Sequence, residues 1–291
     1  MSEQAEAEIF DRGYRPYDGQ RSGVPGAIRA VYVESMQRAI GLRRRARFKI
    51  VPVITIVLAY LPALAFMGIA ILLPSEFADE VVADYSGYYG LLGITVLLFT
   101  AFVAPELLST DRRTGMFGLY MSSPLTRTTY LIAKGLGLMT VLLLVTLFPV
   151  VFLLIGYLTL GLGPDGIVET AKVIGRIIVS GVMISSYFGL IGMAISTLTN
   201  RKGFASAGIV MFMVTSGAFS GILFEVAEAP DWVQLFNFVN VPFDVATRIF
   251  DETEGRLEGV STLASISMWA AVCATSIGII ALGFKRMQVT K

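Results

Sequence analysis

"GLGLMTVLLLVTLFPVVFLLIGY", residues 135–157, carries no charged side chain over 23 positions. A helix rises about 1.5 Å per residue, so a run of this length covers the roughly 30 Å hydrocarbon core of a bilayer. It is too long for a barrel strand of about 10 residues, and an unpaired backbone amide in lipid costs several kcal/mol. Helix is therefore the state that such a run adopts. Five further windows, at about 51–73, 88–106, 174–196, 204–224 and 264–284, read the same way. Their interiors carry Pro52, Pro62 and many glycines, and the quoted run carries Pro149, residues commoner in membrane helices than in soluble ones.

The whole chain agrees. It has 291 residues, of which 55% are hydrophobic and 15% charged, and a mean hydropathy of +0.70, outside the range of a soluble domain. The fold class expected is all-α: a polytopic membrane protein with six transmembrane helices. A net charge of +1 gives no reason to expect a nucleic-acid partner. With a single cysteine, Cys273, there is no internal disulfide, and without histidine no Cys/His metal cluster. The opening "MSEQAEAEIF" is acidic and no apolar run precedes residue 50, so no cleavable leader is expected.

Charge sets the orientation. Ten Lys/Arg lie in residues 1–50, four in 107–134, two at Arg201 and Lys202 and three at Lys285, Arg286 and Lys291, nineteen of the 23. Six spans put all of these on one side, and the positive-inside rule makes that side, with both termini, cytoplasmic. The three loops opposite are acidic, from Glu76, Asp79, Glu80 and Asp84 onward. A multi-pass protein of the plasma (inner) membrane is expected.

Three segments lie outside the spans. Residues 1–24 read as a loose cytoplasmic tail. Residues 25–50 place Ile28, Val31, Tyr32, Ser35, Met36, Ala39 and Ile40 on one helical stripe and end in Arg43, Arg44, Arg45, Arg47 and Lys49. This predicts an amphipathic helix on the cytoplasmic leaflet with its basic cluster at anionic headgroups, or else packed on a soluble partner. In 225–263, "PDWVQLFNFVNVPFDVATRIF" predicts two short amphipathic helices broken at Pro242, which dip into the outer leaflet or cover the mouth of a pathway. Residues 51–291 form the six-helix domain.

The chemistry that is missing narrows the function. No ionisable group falls near a predicted midplane: Glu106 and Arg176 sit at span ends. This argues against an ion-coupled carrier. No phosphate loop of the G-x-x-x-x-G-K-[ST] type occurs, and no histidine is present for a catalytic pair, so the chain is not expected to be an enzyme. If it moves a solute uphill, the energy enters from another polypeptide.

The connection between the second and third spans, "ELLSTDRRTGMFGLYMSSPLTRTTYLIAKG", residues 106–135, is the candidate entry point. A bare helix–helix link needs about 2–8 residues. Here Asp111 reads as a helix N-cap, Gly115 and Gly118 permit close approach, Met116, Phe117, Leu119, Tyr120 and Met121 form an apolar face, and Pro124 stops it. Apolar anchors ringed by Arg112, Arg113 and Arg127 suit a protein-docking patch, and equally an amphipathic helix lying on headgroups.

The order Asp111, Arg112, Gly115, Phe117 to Met121, Ser123, Pro124, Thr126, Arg127, Lys134 resembles the loop between the second and third spans of type-2 ATP-binding-cassette exporter permeases, with Met116 where that family usually has threonine. The resemblance extends to a basic elbow helix before the first span, six spans with both ends inside and short re-entrant helices before the sixth. It implies that the loop is a coupling helix seated in a separate ATPase subunit, which binds ATP and Mg; no cofactor is expected in this chain. It also implies a second permease chain, as a homodimer or heterodimer, in the lipid bilayer. With uncharged spans, a hydrophobic or amphipathic cargo is expected. A path through Ser180, Ser185, Ser186, Tyr187, Thr215, Ser216 and Ser220 competes with these hydroxyls simply satisfying their own helices. Gly189, Gly192, Gly217 and Gly221 would allow close helix packing. The alternative reading is a non-transporting membrane anchor or sensor that recruits a cytoplasmic partner.

Overall fold

The computed structural model describes residue 19 and residues 23–42, 49–72, 84–250 and 255–285. Among these there is no strand. Six helical stretches are long and apolar enough to cross a membrane: Ile50–Leu72, Gly93–Asp111, Arg127–Leu160, Gly166–Thr197, Lys202–Val226 and Thr262–Lys285. Each expected window overlaps one of them, and the third and fourth spans start eight residues before their windows.

In chain order, α1 is Gly23–Ala39, α2 Ile50–Leu72, α3 Tyr85–Leu91, α4 Gly93–Arg113, α5 Met116–Met121, α6 Arg127–Thr146 and α7 Phe148–Leu160. There follow α8 Gly166–Thr197, α9 Lys202–Gly221, a π-turn Ile222–Val226, a 3-10 turn Asp231–Phe236, α10 Val241–Ile249 and α11 Thr262–Lys285. Two windows prove to be composite. The second opens with α3, capped by the Asp84 side chain accepting from the Gly87 amide, before α4 begins beyond Leu92. The third is interrupted at Leu147, because Pro149 has no N–H to continue the ladder and its ring fits only the first turn of α7.

α4 and α8 form the centre, flanked by α6, while α2, α9 and α11 keep most of their apolar surface open. Open apolar surface costs nothing against lipid tails, so close packing depends on small residues. A Cβ added at Gly192 would stand 2.7 Å from Ala104 Cβ and 2.8 Å from Thr100 Cγ2, so α8 approaches α4 as closely as it does only because residue 192 is glycine. Gly189 is tight against Leu142, Gly217 meets Asn237 at ordinary contact distance, and Gly221 faces open space. Of the four glycines singled out from sequence, Gly192 carries the close approach.

The structure shows what part of the amphipathic stripe packs against. Among the described residues its helix, α1, ends at Ala39, and Val31, Ser35 and Ala39 of the stripe are buried inside the chain's own bundle, mainly along α6. Gly137 makes this possible, since a Cβ there would come within 2.8 Å of Ser35 Cβ, and the Tyr32 and Thr140 hydroxyls are bonded at 3.0 Å. Arg43, Arg44, Arg45 and Arg47, like residues 1–18, lie outside the described residues; Lys49 precedes α2.

At the opposite end, the segment before α11 is anchored rather than free. Asp244, fully buried, accepts from Arg248 Nε and the Leu257 amide, each at 2.9 Å, and Phe243 packs on Phe188 of α8 at 5.9 Å. The break expected at Pro242 falls earlier, at Asn237–Asn240, and Pro242 sits in the first turn of α10. Gly192→Leu is expected to lower stability by about 1–3 kcal/mol through overpacking, whereas Gly221→Ala leaves it unchanged or raised; thermal unfolding in detergent distinguishes the two.

Candidate functional site

The 106–135 connection stands at the basic end of the bundle and is built in three steps. α4 runs on to Arg113, past the expected end of the span. Gly115, at φ 70, then turns the chain in the left-handed region that favours glycine, and the six-residue α5 follows. After Ser122, Ser123 and Pro124 the chain enters α6 through a capping box: Thr126 Oγ1 accepts from the Thr129 amide, and the Thr126 amide donates to Thr129 Oγ1 at 2.9 Å. Leu125, buried, roots this corner in the core.

A cluster of charges ties α5 down. Asp111 is not an N-cap: it lies in the last turn of α4 with a side chain 1% exposed. Lys134 of α6, fully buried, forms an ion pair with Asp111 Oδ2 at 2.8 Å, the Tyr130 hydroxyl donates to the same oxygen at 2.7 Å, and Arg38 of α1 pairs with Oδ1. Arg38 also pairs with Glu34, and Glu34 accepts from the Tyr120 hydroxyl of α5. The Tyr120 and Tyr130 rings lie 5.3 Å apart, with the Lys134 ammonium 5.6 Å from each centroid. Burial opposes the Arg38 charge, but Asp111 and Glu34 outweigh it and hold its pKa above the ordinary arginine value. Burial, then the hydrogen bond to Glu34, raises the pKa of the Tyr120 phenol, which stays protonated. Nearby, Lys202 of α9 pairs with Glu106 of α4 beside a cavity of about 350 Å³ that Arg38, Val51, Pro52 and Phe102 also line.

Sequence reading missed this network. The available signal was positional: Asp111 and Lys134 close the second and third spans at one depth, where two charges on adjacent helices persist by pairing.

The network divides the expected docking residues by direction. Asp111 and Tyr120 face inward and fasten the loop, and Met121 is partly packed on the core. Leu119 is 68% exposed, Gly115, Gly118, Pro124 and Arg127 are exposed, and Met116 is half-exposed. The side chains of Arg112, Arg113 and Phe117 lie outside the described residues. A Cβ at Gly118 would meet nothing within 4 Å, so nothing in the chain itself excludes a side chain there. Facing outward are Leu119, the half-exposed Met116 and, further along the loop, Arg127.

A comparison with known families meets this geometry. The sequence model of the ABC-2 family transporter proteins matches residues 76–285, well over half of the chain. The chain belongs to the ABC-2 transporter family. A comparison with curated proteins gives no significant match. The ABC-2 match begins before α3 and ends with α11, so it covers the fastened loop and the five spans after the first.

The hydroxyls considered as a path do not form one continuous row in this ABC-2 permease. Ser185 and Ser186 donate to the carbonyls of Val182 and Met183 on their own helix, Ser180 and Tyr187 are buried in the bundle, and Ser220 donates to Val233 beneath the 3-10 turn. Thr215 and Ser216 instead lie on an open apolar groove with Met211, Phe212, Phe219, Phe236 and Phe238, although Ser216 also donates to its own helix, at Met213. Asp111→Asn is expected to cost about 3–5 kcal/mol by leaving Lys134 buried without its anion, against about 1 kcal/mol for Tyr120→Phe; thermal midpoints of the purified variants test the order.

Proposed function

We propose that this chain is the membrane-embedded permease subunit of an ATP-driven exporter, working with a separate ATP-binding-cassette ATPase and a second permease chain. The observation that carries the reading is the fastened loop: α5 presents Leu119 outward while Tyr120 and Asp111 bind it to α1, α4 and α6. In this reading the basic end is cytoplasmic, as the positive-inside rule requires, and α5 with Pro124 and the start of α6 is the coupling element seated in the ATPase. A loop that is rigid with respect to three helices passes a push from the ATPase to all of them. A freely hinged loop would absorb it.

ATP and Mg would be held by the partner; this chain's part is to receive motion and shape a route. Supporting the substrate class, the groove of Phe212, Phe219, Phe236 and Phe238 with Thr215 and Ser216 offers aromatic surface and two hydroxyls and no charge. Such a surface suits a hydrophobic or amphipathic cargo, and a second permease chain brought against α9 would enclose it.

The test is reconstitution with the ATPase encoded alongside the permease. Leu119→Asp is expected to reduce complex formation at least about tenfold and to abolish ATP-dependent movement of a lipophilic fluorescent substrate, with the thermal midpoint unchanged, since the side chain is exposed. A complex of normal affinity that moves no substrate vectorially favours the anchor or sensor reading instead.

A further inference from the structure

In sequence the 106–135 connection is mixed in charge; in the folded protein its surface is not. The described residues at the basic end include three acids, Glu34, Glu106 and Asp111. Each is occupied within the chain: Glu34 by Arg38 and Tyr120, Glu106 by Lys202, and Asp111 by Arg38, Lys134 and Tyr130. Glu106 and Asp111 are buried as well. The exposed cations of the same end, Arg29, Arg127, Arg201 and Lys285, have no ion-pair partner among the described residues, although Arg201 rests on the Phe204 ring.

The positive-inside rule accounts for the excess of Lys and Arg on this side. It says little about acids and nothing about where their side chains point. Helix stability does not account for Arg127 either. Arg127 is the first residue of α6, where the helix dipole favours anions and disfavours a cation by about 0.3–1 kcal/mol, and no acid occupies that first turn. It stands exposed in the same connection as Leu119. A cation kept at an unfavourable helix position, with both acids of its own connection buried and paired, is left without a counter-charge among the described residues.

We propose that the surface receiving this loop is an acidic groove on the ATPase, in which a carboxylate pairs with Arg127 beside the pocket for Leu119. This rests on the permease reading above and adds the chemistry of the partner. The bulk of the specificity is then electrostatic and screened by salt, because an exposed pair loses its long-range attraction as the Debye length falls from about 10 Å at 0.1 M to about 3 Å at 1 M.

The experiment measures binding of the ATPase encoded alongside the permease to permease held in nanodiscs of pure phosphatidylcholine, at low and high KCl. Wild type is expected to bind at least about tenfold more weakly at about 0.5 M than at about 0.05 M salt, with Arg127→Glu weak at both and nearly salt-independent, and Arg127→Lys close to wild type. Thermal midpoints of all three should coincide, because Arg127 is exposed. Equal binding by Arg127→Glu, or loss of binding with the salt slope intact, overturns the acidic groove and leaves the permease reading standing. Salt dependence that appears only when phosphatidylglycerol is added assigns the basic face to the bilayer and also overturns the proposal. Failure of wild type to bind at any salt, with no ATP-driven transport, removes the permease reading itself.

Discussion

The carboxylate of Asp111 is the point on which the basic end of this protein depends. A charge removed from water costs several kcal/mol, and a buried pair recovers this only when its geometry is good and its remaining lone pairs are satisfied. Here one carboxylate holds a lysine, a guanidinium and a phenol from two other helices. Such a site is weak evidence for net stability. It is strong evidence for a fixed arrangement, because moving any one helix leaves a charge buried and unmatched. The same carboxylate therefore ties α1, α4 and α6 together, and α5 joins them through Tyr120 and Glu34.

This accounts for the contrast between the two kinds of surface in the molecule. Along the spans, packing is apolar and small-residue driven, as at Gly192 and Gly137, and the outer helices present open apolar faces to their surroundings. At the basic end, position is set by directional pairs. The loop between α4 and α6 combines the two, with Leu119 and Arg127 exposed while Asp111 and Tyr120 are bonded into the bundle.

The six spans were legible because their signal is length and apolarity, which do not depend on the neighbours of a helix. The loop was legible as an anomaly for the same reason: charge and aromatic residues between two uncharged runs. Direction was not legible. Tyr120 and Leu119 are adjacent in sequence and both suit an apolar face, yet one is turned into the network and the other out of it, and only the partners Glu34 and Tyr130 decide which. The same limit applies to α1, whose stripe looks identical whether it meets lipid, a soluble partner or the chain's own α6. Asp111 was read as a cap because a polar residue beside apolar ones is ambiguous between a helix start and a helix end; the continuation of α4 to Arg113 is set by Lys134 and Arg38, far away in sequence.

The interruption at Leu147 has its own consequence for how the third span is held. Thr146 donates to the carbonyl of Leu142 on its own helix and to that of Gly181 on α8, each at 3.2 Å, and a Cβ at Gly181 would come within 3.0 Å of Leu147. The break is thus pinned to α8 at mid-span. From Arg127 to that pin, α6 is a stiff arm of about 30 Å. The joint between α6 and α7 is thus held in place by α8, a neighbour, and not by the hydrogen-bond ladder of either half alone.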